Sequence, residues 1–118
     1  MCSSDLKMHE SRLSQERDCV GIHAFSLTGE GNLTAICRNF APLYGIDEES
    51  ATGTSNCALA CYLHKYEQKR SRYIFEQGHC LNRISEIYVH VHSSGNTVSG
   101  VFAGGYGYVE TMKTIIMD

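Results

Sequence analysis

Glu48-Glu49-Ser50-Ala51-Thr52-Gly53-Thr54-Ser55-Asn56-Cys57-Ala58-Leu59-Ala60-Cys61-Tyr62-Leu63 is the stretch around which the rest of the chain is arranged. Two carboxylates lead into a small, hydroxyl-rich turn, and the turn opens straight into an apolar run. The spacing predicts a helix from about Gly53 to Gln68. Its middle, Cys57 to Leu63, is apolar all round, which predicts burial on every side. In a mixed fold that means a central helix wrapped by sheet. The first turn of such a helix has unpaired N–H groups and the positive end of the helix dipole. Two uses of this end stay open. Thr52, Thr54 or Ser55 caps the helix, or the free N–H groups and hydroxyls hold a carboxylate or phosphate. An acidic side chain beside a bound anion suits proton transfer.

Outward from this helix the pattern changes to strands. Val20 to Leu27 and Asn32 to Asn39 read as two strands joined through Thr28-Gly29-Glu30-Gly31, and predict a hairpin. Ser71 to Gln77 reads as a third. Glu86 to His92 alternates, with Ile87, Val89 and Val91 facing a core and Glu86, Tyr88, His90 and His92 facing away. Ser93-Ser94-Gly95-Asn96 turns the chain, Thr97 to Ala103 returns beside it, and Tyr106 to Thr111 is expected to extend the sheet. Residues 1–18 are polar, with a thin apolar stripe of Leu6, Met8 and Leu13, and predict a short helix near 5–17. The fold class is therefore α+β: a strongly curved mixed or antiparallel sheet around a central buried helix, with residues 1–18 a polar helical segment and 19–118 the domain proper.

Composition bounds the function. The chain has 118 residues, enough for one domain. A formal net charge of −3 leaves no electrostatic footprint for nucleic acid. Lys69, Arg70 and Arg72 read as the solvated C-terminal end of the helix, where cations suit the dipole. No apolar run is long enough to span a bilayer. The six cysteines read as free thiols of a reducing cytoplasm, because residues 1–18 have no apolar signal-like core.

Arg38-Asn39-Phe40-Ala41-Pro42-Leu43-Tyr44-Gly45-Ile46-Asp47-Glu48-Glu49-Ser50-Ala51-Thr52-Gly53-Thr54-Ser55-Asn56 resembles the hallmark of the PhzF-like (phenazine biosynthesis PhzC/PhzF) family, approximately R-x-F-A-P-x-x-G-I-x-E-D-P-A-T-G-S-A-H. Val20 to Leu27 looks like the strand that opens the family's second half. Phe75-Glu76-Gln77-Gly78 with Arg83-Ile84-Ser85 looks like its E-Q-G and G-R-P-S elements, and Gly104-Gly105 like its terminal glycine pair. The resemblance covers most of residues 19–110 and implies one half of a diaminopimelate-epimerase-like fold. It also implies isomerase chemistry on a small carboxylate-bearing metabolite, without metal or organic cofactor. Glu49, standing where the family usually has Asp, is the implied catalytic group. Gly53, Thr54, Ser55 and Asn56 are the implied substrate-binding residues, although Asn56 replaces a histidine and cannot titrate. The family's principal acid/base glutamate lies in its N-terminal half and has no counterpart here. Partners are then a separate N-terminal half or a second copy as a homodimer. The alternative is a truncated or split-gene domain kept as a non-catalytic assembly partner.

Three further groupings invite chemistry. Cys57, Cys61 and His64 share a helical face at zinc-like spacing, but no fourth ligand is evident and the expectation is a cysteine-filled core face. His90 and His92 share a strand face, where alternation alone accounts for them. Cys37 or Cys80 beside His79 lacks the activating surroundings a nucleophilic thiol needs. The tyrosines read as packing residues.

Overall fold

The computed structural model describes residues 4–29 and 31–118, with side chains from His9 onward. Helix α1 (Ser4–Glu16) is followed by strands β1 (Ile22–Leu27), β2 (Ala35–Ala41) and β3 (Ile46–Glu49). Helix α2 (Gly53–Tyr66) leads to β4 (Arg72–Gln77), β5 (Ser85–Ser94) and β6 (Thr97–Gly104). Leu6 and Met8 of the expected stripe lie outside the described side chains, and Glu30 of the expected turn lies outside the described residues.

The six strands form one mixed, open sheet in the order β1-β2-β4-β5-β6, with β3 also paired to β2. β1 and β2 form the expected antiparallel hairpin, with His23 opposite Asn39 and Phe25 opposite Cys37. β2 and β4 run parallel over Ala35–Cys37, and β4, β5 and β6 are antiparallel in turn. β3 joins β2 beyond that point and pairs Asn39 with Glu49. The strand β3 is absent from the sequence reading because Ile46-Asp47-Glu48-Glu49 is short and mostly charged. Its pairing follows from the Pro42–Tyr44 turn, which ends on Gly45 in the left-handed region, φ +74°.

α2 connects the β3 end of the sheet to β4 and packs on β5 and β6. Its Leu59, Ala60 and Leu63 meet Ala35, Cys37, Tyr73, Phe75, Ile87, Val89 and Val91 in the core. The three expected core positions of β5 are thus buried. The expectation of burial on every side is corrected: Ala58 and Tyr62 are exposed, and Cys57 and Cys61 are half-buried. β1 is an edge strand at that side of the helix. Its Phe25 meets Tyr62 edge-on at 6.2 Å but does not cover it. The expected extension after the glycine pair is also corrected. No strand follows Gly104, and Tyr106 and Tyr108 are 93% and 88% exposed, so this segment finds no neighbour to pair with in the chain.

α1 lies against β2 and the Pro42–Tyr44 turn, and buries Glu10 and Ser14 there. Burial pushes the Glu10 carboxyl above its ordinary range; Arg38 pulls it back and Glu48 pushes it further up.

Truncating Leu59 to Ala should cost about 2–5 kcal/mol, as for a core leucine, read from urea unfolding. Glu10→Gln should act in the opposite direction. A raised carboxyl favours the protonated form in the fold, so the wild type loses stability as pH rises through that raised value. At pH 7 the glutamine variant should therefore be the more stable, and the difference should vanish below about pH 4. Equal unfolding midpoints at pH 7 would refute this.

Candidate active site

The alternation of a strand separates the two adjacent carboxylates of β3. Glu48 turns toward Arg38, whose Nε and Nη2 donate to its two carboxylate oxygens at 3.0 and 2.9 Å. That two-pronged pair has a side chain only 7% exposed on the Glu48 side, and it is structural in character. Glu49 turns the other way, toward the start of α2. Its Oε2 accepts from Asn39 Nδ2 at 2.9 Å and from Thr52 Oγ1 at 2.6 Å.

Thr52 is the N-cap residue of α2 in position and extended in backbone, yet its side chain makes no cap hydrogen bond. Its hydroxyl is spent on Glu49 instead. The capping alternative is thus not what Thr52 does, and the first-turn N–H groups are left without that side-chain cap. Gly53 and Thr54 are exposed, Ser55 is half-buried, and Asn56 is fully buried. The structure therefore places Glu49, Thr52 and the start of α2 together. Ser55 lines two small hollows, of about 170 and 240 Å³.

Three residues that the sequence reading did not select complete the arrangement. Gln77, at the end of β4, is fully buried. Its Nε2 donates to the Glu49 carbonyl and to Thr52 Oγ1, each at 2.9 Å. Its Oε1 accepts from Asn56 Nδ2 at 2.9 Å. Asn56 Nδ2 also donates to the Thr52 carbonyl at 2.8 Å. Asn39 and His23 form the outer part of the network: His23 Nδ1 lies 3.0 Å from Asn39 Oδ1, and Nε2 lies 3.2 Å from Asn56 Oδ1. The next residue after Gln77 is held to glycine by close approach. Gly78 has φ +92°, and a Cβ there would stand 2.2 Å from the Arg83 carbonyl oxygen and 3.0 Å from that of Ser50.

The other groupings are dispersed. His64 Nδ1 donates to the Arg70 carbonyl at 2.8 Å. Among the described residues no group of three or more His, Cys, Asp or Glu converges. His90 and His92 stack edge-on at 4.9 Å on the sheet face away from α2. Burial pushes the Cys37 thiol up to about 12, and His79 pairs with Glu76 at 2.8 Å. Among the described residues no helix is long and apolar enough to cross a membrane.

The same residues that build this network are those a family model for "Phenazine biosynthesis-like protein" (PhzC-PhzF) matches, over residues 2–109. The chain belongs to the PhzC/PhzF family. It is 34% identical over 105 residues to an uncharacterized isomerase of Deinococcus radiodurans, covering 85% of this chain and 33% of that one. It is 36% identical over 87 residues to an uncharacterized isomerase of Clostridium acetobutylicum, covering 69% of this chain and 29% of that one. In structure it is similar to a PhzF-family phenazine biosynthesis protein of Bacillus anthracis, with a TM-score of 0.56, 22% identity, and coverage of 70% of this chain and 34% of that chain. The chain spans about a third of the length of these relatives. Within the PhzC/PhzF pattern, the contacts give the E-Q-G element a physical meaning here. Gln77 ties β4 to the Glu49–Thr52 loop, and Gly78 lets the two backbones meet.

Replacing Gln77 by Leu should leave the Glu49 carbonyl and the Asn56 amide without this partner, at about 1–3 kcal/mol for each buried group left unmatched. Urea unfolding reads the loss, and a change under ~1 kcal/mol would show the clamp to be dispensable.

Proposed function

We propose that this chain is an isomerase-type PhzC/PhzF domain that moves a proton on a small carboxylate-bearing metabolite, without metal or organic cofactor. The observation that carries the reading is the single carboxylate of Glu49, held by Asn39 and Thr52 at a helix start whose cap hydroxyl is turned away. A carboxylate so placed can take or return a proton beside an anion bound at Gly53, Thr54 and Ser55. Asn56 acts here through its hydrogen bonds. Its amide oxygen and nitrogen are engaged within the protein, so it orients the helix start. Glu49 then orients the substrate or assists proton transfer rather than serving as the principal acid/base group.

The complete cleft, in this proposal, needs a second half to supply that group and to complete a sheet that curves around α2. The relatives, of which the chain spans a third, support this, as does the uncovered side of α2 at Ala58 and Tyr62. Exposed apolar residues after β6, including Met112, Ile115, Ile116 and Met117, favour association as well. They also support the second reading, a folded assembly partner that performs no chemistry by itself. A homodimer or a complex with a separate N-terminal half satisfies either reading, and a cytoplasmic location suits both.

At micromolar concentration the chain should sediment as a dimer, with little or no solvent-deuterium exchange into candidate carboxylate substrates. A clean monomer would refute the association. Adding the N-terminal half of a PhzC/PhzF relative should raise the exchange, and Glu49→Gln should then lower it at least about tenfold; no loss in that variant would remove Glu49 from the chemistry.

A further inference from the structure

The amide network around Glu49 has a direction, and following it assigns a proton. Gln77 Nε2 faces the Glu49 carbonyl, a group that only accepts, so Gln77 Oε1 must be the atom facing Asn56. Asn56 Nδ2 faces that oxygen and the Thr52 carbonyl, again two acceptors. Asn56 Oδ1 is therefore the atom presented to His23 Nε2, which has to donate. From the other side, Glu49 Oε2 accepts from both Thr52 and Asn39 Nδ2. Asn39 Oδ1 is then the atom presented to His23 Nδ1, which has to donate as well. Both ring nitrogens of a histidine carry protons only in the imidazolium form.

We propose that His23 is a positioning residue for Glu49: held as an imidazolium between two amide oxygens, it fixes Asn39 with its amino group against the Glu49 carboxylate. The sheet builds the row that makes this possible. His23 pairs with Asn39 across β1 and β2, and Asn39 pairs with Glu49 across β2 and β3. The charges at the two ends of the row are opposite, and the amide between them is polarised in the sense that favours both. The surroundings add one further titratable group, Tyr62 of α2, which lines the hollow shared by His23 and Ser55. Ser55 and Asn56 of α2 and Asn39 of β2 are the neutral polar neighbours.

The arrangement couples two protons through one amide. If His23 gives up the proton on Nδ1, that nitrogen becomes an acceptor and attracts the Asn39 amino group. Asn39 then turns its oxygen to Glu49, which satisfies it only by taking up a proton on Oε2. One proton leaves the ring and one arrives on the carboxyl, through solvent, so the charges cancel in both states. The orientation of Asn39 thus follows whether Glu49 is in its base or its acid form. The consequence for catalysis rests on the reading of Glu49 given above; the proton count at His23 does not.

Histidine-ring ¹⁵N spectra of the whole chain decide the matter without any activity. At neutral pH both His23 nitrogens should resonate as protonated nitrogens. The loss of that pair of signals in His23→Gln identifies them. In Asn39→Leu, which cuts the row to Glu49 but leaves Asn56 in place, the Nδ1 signal should move to the unprotonated position. Glu49→Gln should move it in the same direction. A wild-type ring with one unprotonated nitrogen at that pH overturns the proposal, as does an unchanged doubly protonated ring in Asn39→Leu. An inactive chain that shows the imidazolium signature would count against the proposed function and leave this inference standing.

Discussion

The buried amide of Gln77 is the interaction on which the site depends. It stands at the end of β4, where the sheet could simply stop, and binds three groups that belong to two other elements. Through the Glu49 carbonyl it holds the end of β3. Through Thr52 and Asn56 it holds the start of α2. A buried amide left unmatched costs free energy, so the three elements are drawn to one geometry rather than to a range of them. Gly78 serves the same junction from the backbone side, since no other residue could bring the chain so close to Arg83 and Ser50 at that φ. The polar cluster and the apolar core share one sheet face: Asn39 continues the row of Ala35 and Cys37 along β2. Burial of the core thereby seats the network, and the network fixes where the helix begins.

Much of the fold is legible in the sequence, because its signals are local. The alternation in β5, the apolar run in α2 and the turn residues between β5 and β6 all report on residues a few places apart. The hallmark motif likewise locates Glu49 and the helix start, since both lie in one continuous stretch. What escaped is what depends on distant pairing. β3 has no strand signature of its own and exists through its neighbour. The exposure of Ala58 and Tyr62 follows from an edge strand that fails to cover them. His23 carries no signal at all in a run that reads as an ordinary strand. Only the register between β1 and β2 brings it to Asn39, and only the turn of the chain at Thr52 brings Asn56 to its other side. Gln77 was visible as part of a resemblance, but its role was not.

One departure from the family pattern gains meaning from these contacts. Asn56 stands where the motif usually has histidine. In this chain an imidazole nitrogen, of His23 on β1, lies 3.2 Å from the Asn56 amide oxygen. The helix residue is an amide that presents its oxygen to the ring, and the strand residue supplies the imidazole. A motif comparison records only the loss at position 56, because the gain lies 33 residues away in sequence.

The division of labour between Glu48 and Glu49 rests on a single residue of register. In a strand, a slip of one place exchanges the two faces. A shift of β3 against β2 by one residue would present Glu48 to Asn39 and leave Glu49 opposite Arg38, with every side chain still present. The irregular step between Asn39 and Ala41, and the tight turn from Pro42 to Gly45 that follows it, set this count. Leu43 and Tyr44 in that turn are exposed and supply none of the hydrogen bonds described for the network. For the register of β3, what counts in this turn is the number of residues. An insertion or deletion in this surface turn, which inspection of burial alone would pass as harmless, would exchange the carboxylate that meets Asn39 and Thr52 for the one that pairs with Arg38.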